Sequence, residues 1–435
     1  MTIEQALQSA TDTRALVIGR GVLKAVPQLF AEHFPGKKAL IVADTNTWKA
    51  AGKALRDMFK RSDVRFDPPF IFTDEELHAE FKHIGRLTAI LGKTEAIPVA
   101  VGSGTINDLI KFSSYCTNRQ YICVATAASV DGYTSYGASI TAHGAKKTFN
   151  CPAPQVCVAD TDVIANAPSE LNAAGYADLF SKVTAGADWI LADKLEIEPI
   201  NKKAWNIVQN GLQDALSDPV GVSRGEPTAI GKLIEGLMMS GFAMQAMKSS
   251  RPASGAEHYL SHLWDMENHR FNGKPVSHGF QVSIGTVTVT ALYEKVLQYP
   301  FQSLDIQSVC SQWYKSIKAM DKVTVAQFGN SGFLERCLNE THAKYVTPTQ
   351  LAGQLKLLVS RWDKIRKALK AQLLPLSTVT ERLQQVGAPT TPEQIGITTE
   401  KLRSSIKRAP FIRSRYTILD LLQRTNAIAI SFPSC

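Results

Sequence analysis

The sequence has no apolar run near the roughly 18 residues that a membrane-crossing helix needs, so no stable membrane insertion is expected. It has no internal repeat and no low-complexity segment. Its seven cysteines, Cys116, Cys123, Cys151, Cys157, Cys310, Cys337 and Cys435, are scattered, odd in number and never form a CxxC pair. That pattern argues against a disulfide framework or a zinc knuckle and points to free thiols in a reducing cytoplasm. The polar, acid-bearing start MTIEQALQSATDTRALVIG predicts no signal peptide. The net charge of +9 favours acidic partners, yet the basic residues are dispersed except in Arg361–Lys370 and around Lys401–Arg415. Both clusters have helical patterning, so solvated helix faces are expected there, and no nucleic-acid partner. A small phosphorylated substrate would use the same charge bias.

What is present has a clear order. At 435 residues the chain exceeds one ordinary core. RALVIG (14–19), KALIVAD (38–44), AIPVAVGSG (96–104) and YICVATAAS (121–129) read as buried strands ending in Gly, Asp or Ser. Asn46–Phe59 and Asp74–Leu91 have helical spacing between them, which predicts βαβ units and a mostly parallel sheet. Residues 135–150 suggest a hairpin, and VCVADTDVI (156–164) another strand-like run. After Pro168 helical patterns take over, over Asp178–Ala192, Asn201–Ala215, Pro227–Met247, Glu257–Asn268, Ser283–Leu297 and Leu351–Leu373. The expected organisation is an α/β dinucleotide-binding domain over 1–165, then an all-α metal- and substrate-binding domain over 166–345. A helical C-terminal extension over 346–435 would follow.

Two constellations carry chemistry. Gly102 and Gly104 stand between a strand and a helix, where backbone N–H groups and the helix N-terminus favour a phosphate. Glycines in such turns also serve backbone geometry alone. Asp44, ending KALIVAD, suits the ribose hydroxyls of a dinucleotide, or else an N-cap or Asx-turn. In the helical half, SGAEHYLSHLWDM puts His258 and His262 four residues apart on one helix face, and His278 opens another helix. Three histidines within 21 residues suggest a metal site. HxxxH without the intervening glutamate is not a zincin motif, so peptidase chemistry is disfavoured. Asp178, on a rather apolar helix, is either a third ligand or a first-turn acid facing the helix dipole.

GSGTINDLIKF, TAASVDGYTS, GYADLFSKVTAGADW, SRPASGAEHYLSHLWDM and SHGFQVSIGT, in this order, resemble the sn-glycerol-1-phosphate dehydrogenases. That family lies within the iron-containing alcohol dehydrogenase and dehydroquinate synthase superfamily, whose fold is the implied one. The resemblance runs from about residue 14 to about residue 300, and residues beyond about 345 match no pattern. It implies that Gly102, Ser103, Gly104, Thr105 and Ile106 cradle the pyrophosphate of NAD or NADP. Asp108, Thr126, Ser129 and Ser135 would border the dinucleotide, and Asp131 the substrate. Asp178, His258 and His278 would bind one divalent metal, zinc before iron, nickel or manganese, with His262 touching the substrate one turn on. The sequence reads Gly-Ser-Gly where many relatives have three glycines, and ENHRFNGKPV looks longer than in the shorter archaeal-type members.

The implied reaction interconverts dihydroxyacetone phosphate and sn-glycerol-1-phosphate by hydride transfer at a metal-polarised oxygen. Lys146, Lys147, Lys182 and Arg251 adjoin motifs and are candidates for the substrate phosphate, Arg251 foremost because its guanidinium offers a fork. Each could instead be an ion-pair or surface residue. A homo-oligomer is expected. The alternatives are a related metal-dependent glycerol or polyol dehydrogenase, or a dehydroquinate synthase-like cyclase. A non-catalytic binding protein on the same scaffold is a third reading, opposed by the intact ligand set.

Overall fold

The computed structural model describes residues 2–142 and 145–427. The side chain of Lys146, together with Cys435 and the rest of 428–435 in the expected C-terminal extension, lies outside the described residues. The chain gathers into two compact units. The first comprises Met1–Leu179, Lys203–Ala253 and Gln385–Ala388, the second Phe180–Lys202, Ser254–Gln384 and Pro389–Cys435. Among the described residues no helix is long and apolar enough to cross a membrane.

The first unit is built on a six-stranded parallel sheet in the order β1-β8-β5-β4-β2-β3. Its strands are β1 (Ala15–Gly19), β2 (Ala39–Asp44), β3 (Phe70–Phe72), β4 (Ile97–Gly102), β5 (Ile122–Ala125) and β8 (Val156–Asp160). Central strands of a parallel sheet are covered on both faces and so read as continuous apolar runs. Ile41, Val99, Val124 and Val158 accordingly pack with Phe30 and Phe59 in one buried core. A hairpin of β6 (Ala138–Ala142) and β7 (Ala145–Phe149) lies apart from the sheet, as its polar sequence predicts.

Two local expectations change. Strand β3 is hidden in sequence by Pro68 and Pro69, which a sheet accepts at the start of an edge strand. The helix expected over Asp74–Leu91 begins only at Phe81. The residues before it pair instead with the hairpin: Thr141 donates its N–H to the Ala79 carbonyl at 2.7 Å, and Glu80 bridges Thr141. A tertiary partner there outweighs helical periodicity.

The second unit is helical. Its long helix Pro348–Gln372 starts with a capping box of Thr347 and Gln350. Leu351, Leu355, Leu358, Trp362, Ile365 and Leu369 form its buried stripe, leaving Lys356, Lys364 and Lys367 exposed. Helices Ala256–Met266 and His278–Val296 pack closely because Gly285 has no side chain. A Cβ there would stand 2.5 Å from the Glu257 carbonyl oxygen. The stretch expected as one helix over Asp178–Ala192 is two, Ser169–Phe180 and Lys182–Lys194. ENHRFNGKPV forms a small hairpin, pairing Arg270–Phe271 with Lys274–Pro275.

Candidate functional site

In the first unit, β2 has β3 on one side and β4 on the other, and from β4 the sheet grows the opposite way through β5 and β8. The strand order therefore reverses between β2 and β4, and ligands of open α/β sheets bind outside the carboxyl ends at such a point. Val42 pairs with Ala100, so Asp44 and Gly102, two residues on, end neighbouring strands at the same level. Helix Gly104–Cys116 begins immediately after. Ser103 occupies its cap position but makes no side-chain cap hydrogen bond. The first-turn N–H groups of Gly104, Thr105 and Ile106 have no intrahelical partners by helix geometry, which leaves them to a ligand's oxygens. A Cβ on Gly102 would come within 2.5 Å of the Ile106 Cβ, so the tight turn needs glycine. Asp44 accepts the N–H groups of Asn46 and Thr47, both at 2.8 Å, through Oδ1. It is thus an N-cap, and Oδ2 takes no part in that cap.

The loop after β5 is held from three sides within this unit. Lys111, 1% exposed, donates to the carbonyls of Gly132 (2.8 Å), Ser135 (2.9 Å) and Gly137 (3.1 Å). Helix Ser169–Phe180 presents Asn172, Gly175 and Asp178 at three-residue spacing, hence on one face. Asn172 accepts the Ala128 N–H at 3.0 Å, and Asp178 accepts that of Asp131 at 3.0 Å. A Cβ on Gly175 would overlap the Ala128 carbonyl oxygen at 1.8 Å. From helix Pro227–Met247, Ser240 donates to Asp131 Oδ2 at 2.9 Å. Thr126 and Ser129 are buried beside this loop, and the Thr126 N–H donates to the Gly102 carbonyl at 3.2 Å. Ser135 turns inward, its hydroxyl donating to the Gly132 carbonyl, while Asp108 accepts the Ser139 N–H.

In the second unit three imidazoles cluster. Ring centroids of His258 and His278 are 5.2 Å apart, those of His258 and His262 6.0 Å, and those of His262 and His278 5.9 Å. His258 Nδ1 lies 2.9 Å from Glu257 Oε1. A carboxylate only accepts, so that nitrogen carries the proton and the lone pair for a metal is on Nε2. Burial pushes the Glu257 carboxyl up, but His258 and the Gly255 N–H outweigh it and hold it below its ordinary value. Thr184 also donates to Glu257, at 2.9 Å. A longer relay orients His278. The Gln281 amide nitrogen donates to Asp265 and the Val276 carbonyl, which turns its Oε1 toward Ser261. The Ser261 hydroxyl can then give its proton to Gln281 and accept from His278 Nδ1 at 3.1 Å. A fourth histidine of the same stretch, His269, is turned away to the Ile395 carbonyl.

One ligand atom from each of Asp178, His258 and His278 lies within 4.8 Å of the other two. A buried carboxylate and two neutral imidazoles presenting Nε2 fit a divalent cation, and both rings already have the outer partners that metal-binding histidines need. Lys182 and Arg251 are buried, the first donating to Ser181 Oγ at 3.4 Å, whereas Lys147 is exposed. Sequence reasoning passed over Lys111, Glu257 and Asp188. A lysine or acid inside an apolar helix pattern was the available signal, since such groups are buried only when paired. A groove of about 930 Å³ lined by Arg14, Lys37, Arg119 and Tyr121 opens at the opposite, amino ends of the strands and holds none of the expected site residues.

Comparison with known proteins agrees with this architecture. The family described as iron-containing alcohol dehydrogenase matches residues 17–168. A probable glycerol dehydrogenase from Sinorhizobium meliloti 1021 superposes with a TM-score of 0.59 over 96% of each chain at 18% identity, a likeness of fold alone. The NADH-dependent butanol dehydrogenase A of Thermotoga maritima shares the same fold, with a TM-score of 0.58 over 98% of each chain at 13% identity. In sequence, the glycerol-1-phosphate dehydrogenase [NAD(P)+] of Geobacillus thermodenitrificans is 31% identical over 386 residues, 88% of this chain and 86% of that protein. That of Geobacillus stearothermophilus is 31% identical over 94% of this chain and 91% of its own length. That of Pyrococcus horikoshii is 31% identical over 64% of this chain and 78% of its own. The chain belongs to the glycerol-1-phosphate dehydrogenase family.

Proposed function

We propose that this protein interconverts dihydroxyacetone phosphate and sn-glycerol-1-phosphate, using a nicotinamide dinucleotide and one divalent metal. The observation that carries the reading is the convergence of Asp178, His258 and His278 in a chain whose relatives bear that activity in their names. Asp178, His258 and His278 would hold the metal, which would supply Lewis acidity toward the substrate oxygen, and the bound dinucleotide would supply the hydride donor or acceptor. Gly102 to Ile106 cradle the pyrophosphate by backbone N–H groups. Asp44 holds the ribose and, being anionic, favours NAD over its 2′-phosphorylated form. Two imidazoles and a carboxylate suit zinc. His262, one helical turn from His258, contacts the substrate and relays its proton. Asp131, fixed by Ser240 and by its own N–H to Asp178, orients the substrate hydroxyls. Lys182 and Arg251 supply charge for the substrate phosphate. The six described cysteines are free thiols, which supports a cytoplasmic setting.

The test follows NADH oxidation with dihydroxyacetone phosphate before and after chelation, then the chirality of the product. Oxidation that stops on chelation, returns with zinc and yields the sn-1 isomer is expected. A cyclase of the same fold would consume no NADH in the steady state, and that result would displace this reading.

A further inference from the structure

The segment after residue 345 has no part in the chemistry above, yet it is bonded directly to the helix that carries His258. Tyr259 donates its hydroxyl to the Arg415 carbonyl at 2.9 Å, and the Trp264 indole donates to Ser405 Oγ at 2.9 Å. On the neighbouring helix, Ser283 donates to the Pro389 carbonyl at 2.6 Å. One buried carboxylate joins all three parts. Asp188, on helix Lys182–Lys194, is fully buried. Its Oδ2 accepts the N–H of Ala256, first residue of the His258 helix, at 2.7 Å. Its Oδ1 accepts the hydroxyl of Tyr293, on the His278 helix, at 2.6 Å. The same oxygen accepts the N–H of Ile418, first residue of helix Ile418–Arg424, at 2.8 Å. Gly255 makes room for this arrangement, since a Cβ there would lie 2.5 Å from Asp188 Oδ2.

We propose that Asp188, closed by the Ile418 amide, is a positioning residue that holds the His258 and His278 helices at the spacing a metal requires. The C-terminal segment is then part of the scaffold of the metal site. Three hydrogen bonds converging on one buried side chain fix it relative to each element that donates. Each donor removed takes away one of these buried bonds, which loosens the group it joins. Ligands must be held to within about 0.5 Å for tight coordination, so slack between the two helices appears first as lost metal affinity.

This rests on the metal reading of the site, and the experiment separates the two. Ile418 occupies the first helical position, where proline fits, and Thr417 before it is already extended with φ −138° and ψ 178°. Ile418→Pro therefore removes the N–H that Asp188 accepts, while Ile418→Val keeps that N–H and gives up side-chain packing alone. Metal-free full-length chains are titrated with cobalt(II), reading the ligand-field absorption and the dissociation constant, with the thermal midpoint recorded beside them. Ile418→Val is expected to bind cobalt like the parent. Ile418→Pro and Asp188→Asn are expected to bind about tenfold more weakly with an altered band shape. Tyr293→Phe, which deletes one hydroxyl, is expected to show a smaller loss in the same direction and serves if the proline variant does not fold. Cobalt binding unchanged in Tyr293→Phe and in every folded variant, with only the thermal midpoint lowered, overturns the positioning role. A parent chain that takes up no cobalt removes the metal reading and this inference with it.

Discussion

Glu257 and His262 flank one histidine on one helix, and they part company when metal binding and turnover are measured separately. Glu257 fixes the tautomer of His258 through a hydrogen bond to Nδ1. Glu257→Gln should therefore weaken metal binding by about tenfold. His262 stacks on His278 with the ring planes 25° apart but lies outside the converging ligand set. His262→Ala should leave the metal bound while kcat falls about a hundredfold or more, as loss of a general acid–base does. Metal analysis and steady-state rates on the same two preparations decide it, and loss of the metal from His262→Ala would make that residue the ligand. The HxxxH spacing brought both imidazoles to one face but held no information on which of them ligates. Glu257 was harder to read, because residues adjacent in sequence do not normally face each other on a helix. Only the turn at Gly255, which brings its N–H to Glu257 Oε1, bends the carboxylate back onto its neighbour.

Among the elements, helix Ser169–Phe180 shows how an apolar-looking stretch can be a mounting rail. Asn172, Gly175 and Asp178 share one face, and all three meet the loop that follows β5. The sequence singled out Asp178 and left its two companions unremarked, since their partners lie some 44 to 47 residues away and spacing within a helix says nothing of what it faces. Gly175→Ala puts a methyl group 1.8 Å from the Ala128 carbonyl oxygen, a contact that backbone alone must relieve. Overpacking of this kind costs about 1–3 kcal/mol, and here the strain falls on Thr126–Ser129. Urea unfolding should register that loss, and the KM for NADH should rise several-fold more than the KM for dihydroxyacetone phosphate. Equal change in both constants would detach the loop from the dinucleotide.

For the whole molecule, the sequence made the strands legible and their order illegible. Apolar runs ending in Gly, Asp or Ser marked β1, β2, β4, β5 and β8, because a parallel sheet covered on both faces leaves that imprint. Nothing in those runs says that β8 inserts between β1 and β5, or that the order reverses beside Asp44 and Gly102. Strand neighbours are set by crossover packing, which no single segment records. The ligand set has the same long-range character, with His278 standing 100 positions after Asp178. An unfolded chain cannot hold such donors together, so the metal binds the folded state and stabilises it by mass action. At a free metal concentration about a hundred times the dissociation constant, the gain is about 2.7 kcal/mol. Thermal scans in zinc and in chelator should therefore differ by several degrees in the parent chain. Asp178→Ala should lose most of that difference while keeping a cooperative transition. An equal zinc-dependent rise in Asp178→Ala would place the cation elsewhere and leave the buried Asp178 with the Asp131 N–H as its task.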